Sequence, residues 1–236
     1  MGVRSEGRTL HLEVEGKHSR GDVLQAVRWA LRLDEDFAPL KALSKNDPLL
    51  RAALARGASR LLRAPTLWEE AARTLCTTNV QWAGTVAMMT GLVELGRGYF
   101  PSPAQVLEAG SGALRGTARM GYRAESLLAL AERIDQGYDI ERWKIATPRP
   151  AELAAEIGSW RGFGPYATSH LMVQLGHYGD LPIDSEVRAF HENLSDAQIR
   201  RRYASYGNYA FLVYKLRRIA LKRNWIGDEV SAASTE

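Results

Sequence analysis

Apolar residues along this chain recur mostly at helical spacing. Val23, Leu24, Val27, Ala30 and Leu31 place one apolar stripe on a helix that opens near Asp22. Asp47 followed by Pro48 reads as a cap and a first-turn proline ahead of Leu49, Leu50, Ala53 and Leu54. Pairs with capping-box spacing recur at Thr66 and Glu69, Ser102 and Gln105, and Ser195 and Gln198. Gly137 and Gly207 stand where helices are expected to stop. Residues 9–15 alternate instead, with Leu10, Leu12 and Val14 set against His11, Glu13 and Glu15, which is a strand pattern. A lone strand needs partners, so this one reads as the remnant of a small sheet, or as paired with something that has no clear pattern of its own. The chain thus divides into a strand remnant (1–20), a helical body (21–227) and a polar tail (228–236).

A chain of 236 residues with 45% hydrophobic and 25% charged residues can bury one sizeable core or two small ones, which excludes a disordered chain. Lys+Arg 31 against Asp+Glu 27 leaves a formal charge of only +4, so the balance itself says little about partners. Its distribution says more. Residues 197–227 hold eight basic residues (Arg200, Arg201, Arg202, Lys215, Arg217, Arg218, Lys222 and Arg223) and no acidic one. That stretch is either a pair of solvated helix faces or a surface for phosphates. The single cysteine, Cys76, excludes an internal disulfide and an iron–sulfur cluster held by four cysteines of this chain, and it suits a reducing cytoplasm. No apolar run approaches the roughly 20 residues that span a bilayer. The N-terminal Arg4, Glu6 and Arg8 leave no signal-peptide core, so a cytoplasmic, non-membrane protein is expected.

Candidate chemistry gathers between residues 151 and 190. Residues 151–160 read as a helix, Arg161-Gly162-Phe163-Gly164 as a two-glycine hairpin, and residues 165–175 as a second helix with proline in its first turn. Two readings stand side by side. The glycines can serve an ordinary tight connection, or they can let the backbone approach a phosphate that the N–H groups and positive end of the second helix then face. Asp184, 20 residues after Gly164, opens the next helix and suits an N-cap. A carboxylate held at a helix start is also pre-oriented and kept ionised, so capping and catalysis are compatible.

The hairpin followed at this spacing by Leu181-Pro182-Ile183-Asp184-Ser185 resembles the helix-hairpin-helix DNA glycosylase superfamily, with its glycine- and proline-rich loop and its aspartate. The resemblance runs over about residues 33–222. It implies an all-α, two-lobed fold with a short N-terminal strand remnant, double-stranded DNA containing a damaged base as partner, and Asp184 as the catalytic carboxylate. Leu75-Cys76-Thr77-Thr78-Asn79 then looks like the helix that faces the minor groove, with Asn79 matching the residue that fills the hole left by a flipped base. The stretch from Phe100 to Pro103 and the sequence Gly121-Tyr122-Arg123-Ala124 are similar to the helices and turn that follow.

Tyr166 stands where the oxoguanine branch has a lysine nucleophile. An aromatic residue there resembles the alkylation-repair, 3-methyladenine branch, with His170 and Tyr206 matching further pocket positions. Tyr206 also suits an ordinary core aromatic. The resemblance therefore implies monofunctional hydrolysis in base excision repair, preferring alkylated purines. The alternatives are an 8-oxoguanine-type enzyme without lysine and a non-catalytic DNA-binding module. It further implies a monomer associated with the nucleoid and no organic cofactor, and allows a monovalent cation on hairpin carbonyls. Gly162, Phe163, Gly164 and Arg161 are the expected DNA contacts, although Arg161 departs from the usual proline. The N-terminal sheet of the alkylation branch shrinks here to about one strand, as in a compact or shortened chain.

Overall fold

The computed structural model describes residues 2–7, 9–14, 16–145 and 148–226. Position 15 and the expected tail lie outside them. Among the described residues the chain is mostly helical, with two short strands. The alternating stretch is a strand over Thr9–Glu13 (β2), and its partner is Gly2–Glu6 (β1), antiparallel with Val3 opposite Leu12 and Glu6 opposite Thr9. β1 escapes sequence reading because Val3 is its one strongly apolar residue. β2 is nearly all exposed, so backbone pairing rather than a buried face makes this hairpin.

Among the described residues, twelve α-helices follow. The first three are α1 (Arg20–Ala30), α2 (Ala38–Leu43) and α3 (Pro48–Ala55). Next come α4 (Leu67–Thr77), α5 (Trp82–Leu95), α6 (Pro103–Gly116) and α7 (Arg123–Asp135). The hairpin helices are α8 (Pro150–Gly158) and α9 (Pro165–Gln174). The last three are α10 (Ser185–Phe190), α11 (Asp196–Tyr203) and α12 (Ala210–Lys222). Capping chemistry sets many of the starts. Asp47 accepts from the Leu50 N–H at 3.1 Å, and the Ser102 and Ser195 boxes are complete in both directions. Ser19, rather than Asp22, caps α1, and Asp22 falls in its first turn, where its charge suits the helix dipole. Thr66 caps α4 from one side only. The adjoining N–H groups of Leu67 and Trp68 instead donate to Glu141 Oε1 at 2.8 and 3.1 Å.

Two apolar cores result. One gathers Leu75, Leu92, Leu114, Leu127, Ile157 and Leu171 from α4 to α9. The other gathers Leu40, Leu50, Val187, Ile199, Leu212 and Tyr214 from α2, α3 and α10 to α12. Helix α9 belongs to both, because Leu171 enters the first core and Val173, on its other face, enters the second. Its C-terminal carbonyls are bound by two buried arginines. Arg32 donates to Val173 O at 3.0 Å, Gln174 O at 3.1 Å and Tyr178 Oη at 2.7 Å, and Arg63 donates to Gln174 O at 2.8 Å. Arg63 also lies 3.8 Å over the Trp29 ring; Glu35 pairs with both guanidinium groups, and Asp34 pairs with Arg63 at 3.1 Å. Among the described residues, no helix is long and apolar enough to cross a membrane.

Candidate active site between the two lobes

A cleft of about 930 Å³ opens between the two cores. The α4–α5 turn and Tyr122 line it from the first lobe, and residues 182–188 of the α10 segment with Phe211 and Lys215 of α12 line it from the second. The hairpin and the first turns of α9 lie between them.

The two hairpin glycines have different jobs. Gly162 has φ +84°, a left-handed conformation, and a Cβ there would stand 2.5 Å from Ser126 Oγ and 3.0 Å from Leu75 Cδ2. Only glycine lets the hairpin pack this closely on α7 and α4. Gly164 has extended backbone at φ −71° and ψ −175°, as the N-cap of α9, and no atom lies within 4 Å of where its Cβ would be. With no side-chain cap and Pro165 in the first turn, the α9 start keeps N–H groups for a ligand. The carbonyls of Trp160, Phe163 and Gly164 accept from Phe163 N, Thr168 Oγ1 and Thr168 N, at 3.1, 3.3 and 2.9 Å. Each keeps a second lone pair, so these are the hairpin oxygens that could hold a monovalent cation.

Asp184 is both a cap and a cleft residue. Its Oδ1 accepts from Val187 N at 2.8 Å, which fixes the carboxylate and leaves Oδ2 as the oxygen that can meet a ligand. Across the cleft, Tyr166 and His170 stand one turn apart on α9, ring centroids 5.8 Å apart and tilted by 31°. Burial lowers the His170 pKa to about 4, helped by Arg73 and Lys215 and opposed by Asp184, so the ring is neutral at neutral pH. Burial raises the Tyr166 pKa, with the negative charges of Asp184 and Glu186 acting in the same direction and Thr77 opposing. Asn79 lies in the α4–α5 turn with φ +45°, which an asparagine tolerates, and its Nδ2 is 3.4 Å from the exposed Tyr122 hydroxyl. It belongs to the turn after the helix rather than to the helix itself.

Asp184, Tyr166, His170, Asn79, Gly162 and Gly164 therefore share one cleft. Tyr206, Phe163 and Arg161 are not among the residues lining it. Tyr206 packs at the second core, where its hydroxyl donates to Asp47 Oδ2 at 2.8 Å and accepts from Arg217 at 3.1 Å. Phe163 is buried in the first core with its ring edge-on to Trp160 at 5.1 Å, so the hairpin can offer only its backbone at that position. Arg161 is exposed beside the cleft-lining glycines. Sequence reading missed Glu186, Phe211 and Lys215 as cleft residues. Glu186 sits two positions after Asp184, but Lys215 reaches the cleft from a distant helix, with no local motif to mark it.

The basic stretch is also less bare than its sequence. Arg200 pairs with Asp180, Lys215 with Glu186 at 3.6 Å, Arg217 with Asp47 at 3.5 Å, and Arg218 with Glu186. Arg201, Arg202, Lys222 and Arg223 are exposed.

No family model matches the chain, and no curated protein matches it. Solved structures do. MBOgg1 in complex with a low-affinity DNA ligand is similar with a TM-score of 0.73 at 17% identity, over 97% of this chain and 82% of that one. The Clostridium acetobutylicum 8-oxoguanine glycosylase/lyase, in complex with double-stranded DNA containing cytosine opposite 8-oxoguanine, gives 0.71 at 18% identity, over 94% and 81%. The 3-methyladenine DNA glycosylase of Archaeoglobus fulgidus gives 0.67 at 19% identity, over 89% and 81%. The two lobes, the hairpin between them and these likenesses together mean that the chain has the fold of the helix-hairpin-helix DNA glycosylases.

Proposed function

We propose that the protein is a monofunctional DNA glycosylase of base excision repair, which takes a damaged purine out of duplex DNA and hydrolyses its N-glycosidic bond. The observation that carries this reading is the convergence of Asp184, the Tyr166–His170 aromatic wall and the open N-terminus of α9 in one interlobe cleft. On this reading the α9 N–H groups hold a backbone phosphate beside Gly164, where there is no side chain to block it. Asn79 and Tyr122 fill the gap in the stack, and the extruded base lies against Tyr166 and His170. As the bond to the base lengthens, positive charge grows on the sugar. The Asp184 carboxylate stabilises that charge and orients or deprotonates the attacking water. One copy of the chain acts on double-stranded DNA in the cytoplasm, and a cation at the hairpin is not used in any step.

Alkylated purines are the proposed lesion class. A ring-alkylated purine is cationic and already has a weakened glycosidic bond, so stacking and a nearby carboxylate are enough to release it. The neutral His170 adds no positive charge against such a base. A second reading, excision of 8-oxoguanine without a lysine at position 166, draws on the comparable likeness to the oxoguanine enzyme.

Single-turnover excision from duplexes containing 3-methyladenine, 7-methylguanine or 8-oxoguanine tests both. The methylated purines should leave faster, and borohydride should trap no covalent adduct. Asp184→Asn keeps a good cap and should lower the rate by 100-fold or more while leaving duplex binding nearly intact, about the scale of losing a transition-state charge. Near-normal excision by that variant would sink the catalytic assignment, and faster release of 8-oxoguanine would favour the second reading.

A further inference from the structure

The cleft holds a second carboxylate and one ammonium that the mechanism above leaves unused. Glu186 follows Asp184 on α10, and Lys215 reaches the same cleft from α12. Lys215 Nζ is 3.6 Å from Glu186 Oε2 and lies 5.5 Å over the Phe211 ring, while Arg218 holds the other Glu186 oxygen. The pair is therefore fixed by its surroundings but not sealed away: Lys215 is 27% exposed and Glu186 49%.

We propose that the Lys215–Glu186 ion pair sets how strongly the cleft distinguishes a cationic base from a neutral one, Lys215 limiting the affinity for cations and Glu186 restoring it. This deepens the glycosylase reading and rests on it. The charges already act on the aromatic wall: Lys215 contributes to the low His170 pKa, and Glu186 to the raised Tyr166 pKa. A base stacked on that wall sits in the same field. Among the described residues Asp184 makes no ion pair, and Arg188, the other cation lining the cleft, is paired with Asp196 at 2.9 Å. Without Lys215 the net charge at the cleft falls by one unit, with Arg218 still paired to Glu186, and with Glu186 neutralised it rises by one unit. In a partly dehydrated cleft, one charge a few ångströms from the base changes affinity by about tenfold or more.

Binding can be read without chemistry by using 2′-fluoro nucleotides, whose glycosidic bond resists cleavage. The probes are a duplex carrying 2′-fluoro-7-methylguanine, which is cationic, one carrying 2′-fluoro-hypoxanthine, which is neutral, and undamaged duplex. Lys215→Met should raise the cationic-to-neutral affinity ratio about tenfold, and Glu186→Gln should lower it by a similar factor, both shifts shrinking as salt rises. Lys215→Gln should reproduce the first shift, so the result stands even if Glu186→Gln folds poorly; melting curves identify that case. Unchanged ratios, or ratios moving the same way in variants of opposite charge change, overturn the proposal while lesion binding by the parent protein keeps the glycosylase reading. A parent protein that binds neither lesion better than undamaged duplex removes both.

Discussion

His170 is held among Arg73, Lys215 and Asp184, and burial with the two cations brings its pKa down to about 4, against about 6.5 in an unfolded chain. Burial also lowers His177 and His191. Between about pH 6.5 and 4 the unfolded chain binds protons that the folded chain refuses, so stability is fully present above 6.5 and falls as the pH drops towards 4. Urea midpoints across this range should decline, and His170→Gln, which cannot titrate, should flatten the decline. An identical slope in the variant would mean that the histidine is not held as described. Asp184, Tyr166, His170 and Asn79, which all line the cleft, were legible through the family resemblance, which matches each at its step from the glycine hairpin or a helix end. Tyr206 was not, because its partner Asp47 lies far away in sequence and claims the hydroxyl.

At the scale of elements, the hairpin separates structural need from ligand access. Gly162→Ala combines a left-handed φ with a Cβ 2.5 Å from Ser126 Oγ and 2.9 Å from Ser126 Cβ. It should cost about 2–4 kcal/mol, visible as a lower melting temperature. Gly164→Ala meets no atom within 4 Å, so stability should change by less than about 1 kcal/mol. Its methyl group would instead stand where a phosphate approaches, and duplex affinity should fall. Melting curves and binding titrations on both variants check this. A destabilised Gly164→Ala that binds normally would reverse the two roles. Helix positions were legible from apolar spacing and caps, including α8, the hairpin and α9. The misses have local causes: β1 has almost no apolar pattern, and at α1 Ser19 and Asp22 both suit the start, with geometry choosing Ser19.

For the whole molecule, sequence could count charges but not pair them. The eight basic residues between 197 and 227 read as one positive field, yet Asp47, Asp180 and Glu186 pair with four of them, and those partners come from outside that stretch. The joint between the lobes was hidden for the same reason. Arg32 stands at φ +52° after α1 with nothing local to mark it, but its guanidinium reaches the end of α9 and Tyr178 of the second core. Arg63 shares Gln174 O and Glu35 and also pairs with Asp34 at 3.1 Å, so the two cations and two carboxylates form a single bolt across the lobes. Arg32→Met preserves bulk but strips donors from the Val173 carbonyl, the Gln174 side chain and the Tyr178 hydroxyl. Breaking a buried ion network in this way should cost about 3–5 kcal/mol in denaturant unfolding. Because α9 carries Tyr166 and His170 at its other end, base release by the remaining folded fraction should fall as well. Arg32→Lys keeps the charge but cannot span these acceptors, and should lie between the two. An Arg32→Met protein within about 1 kcal/mol of the parent would mean that apolar packing of α9 alone joins the lobes, since surface-like substitutions fall in that range.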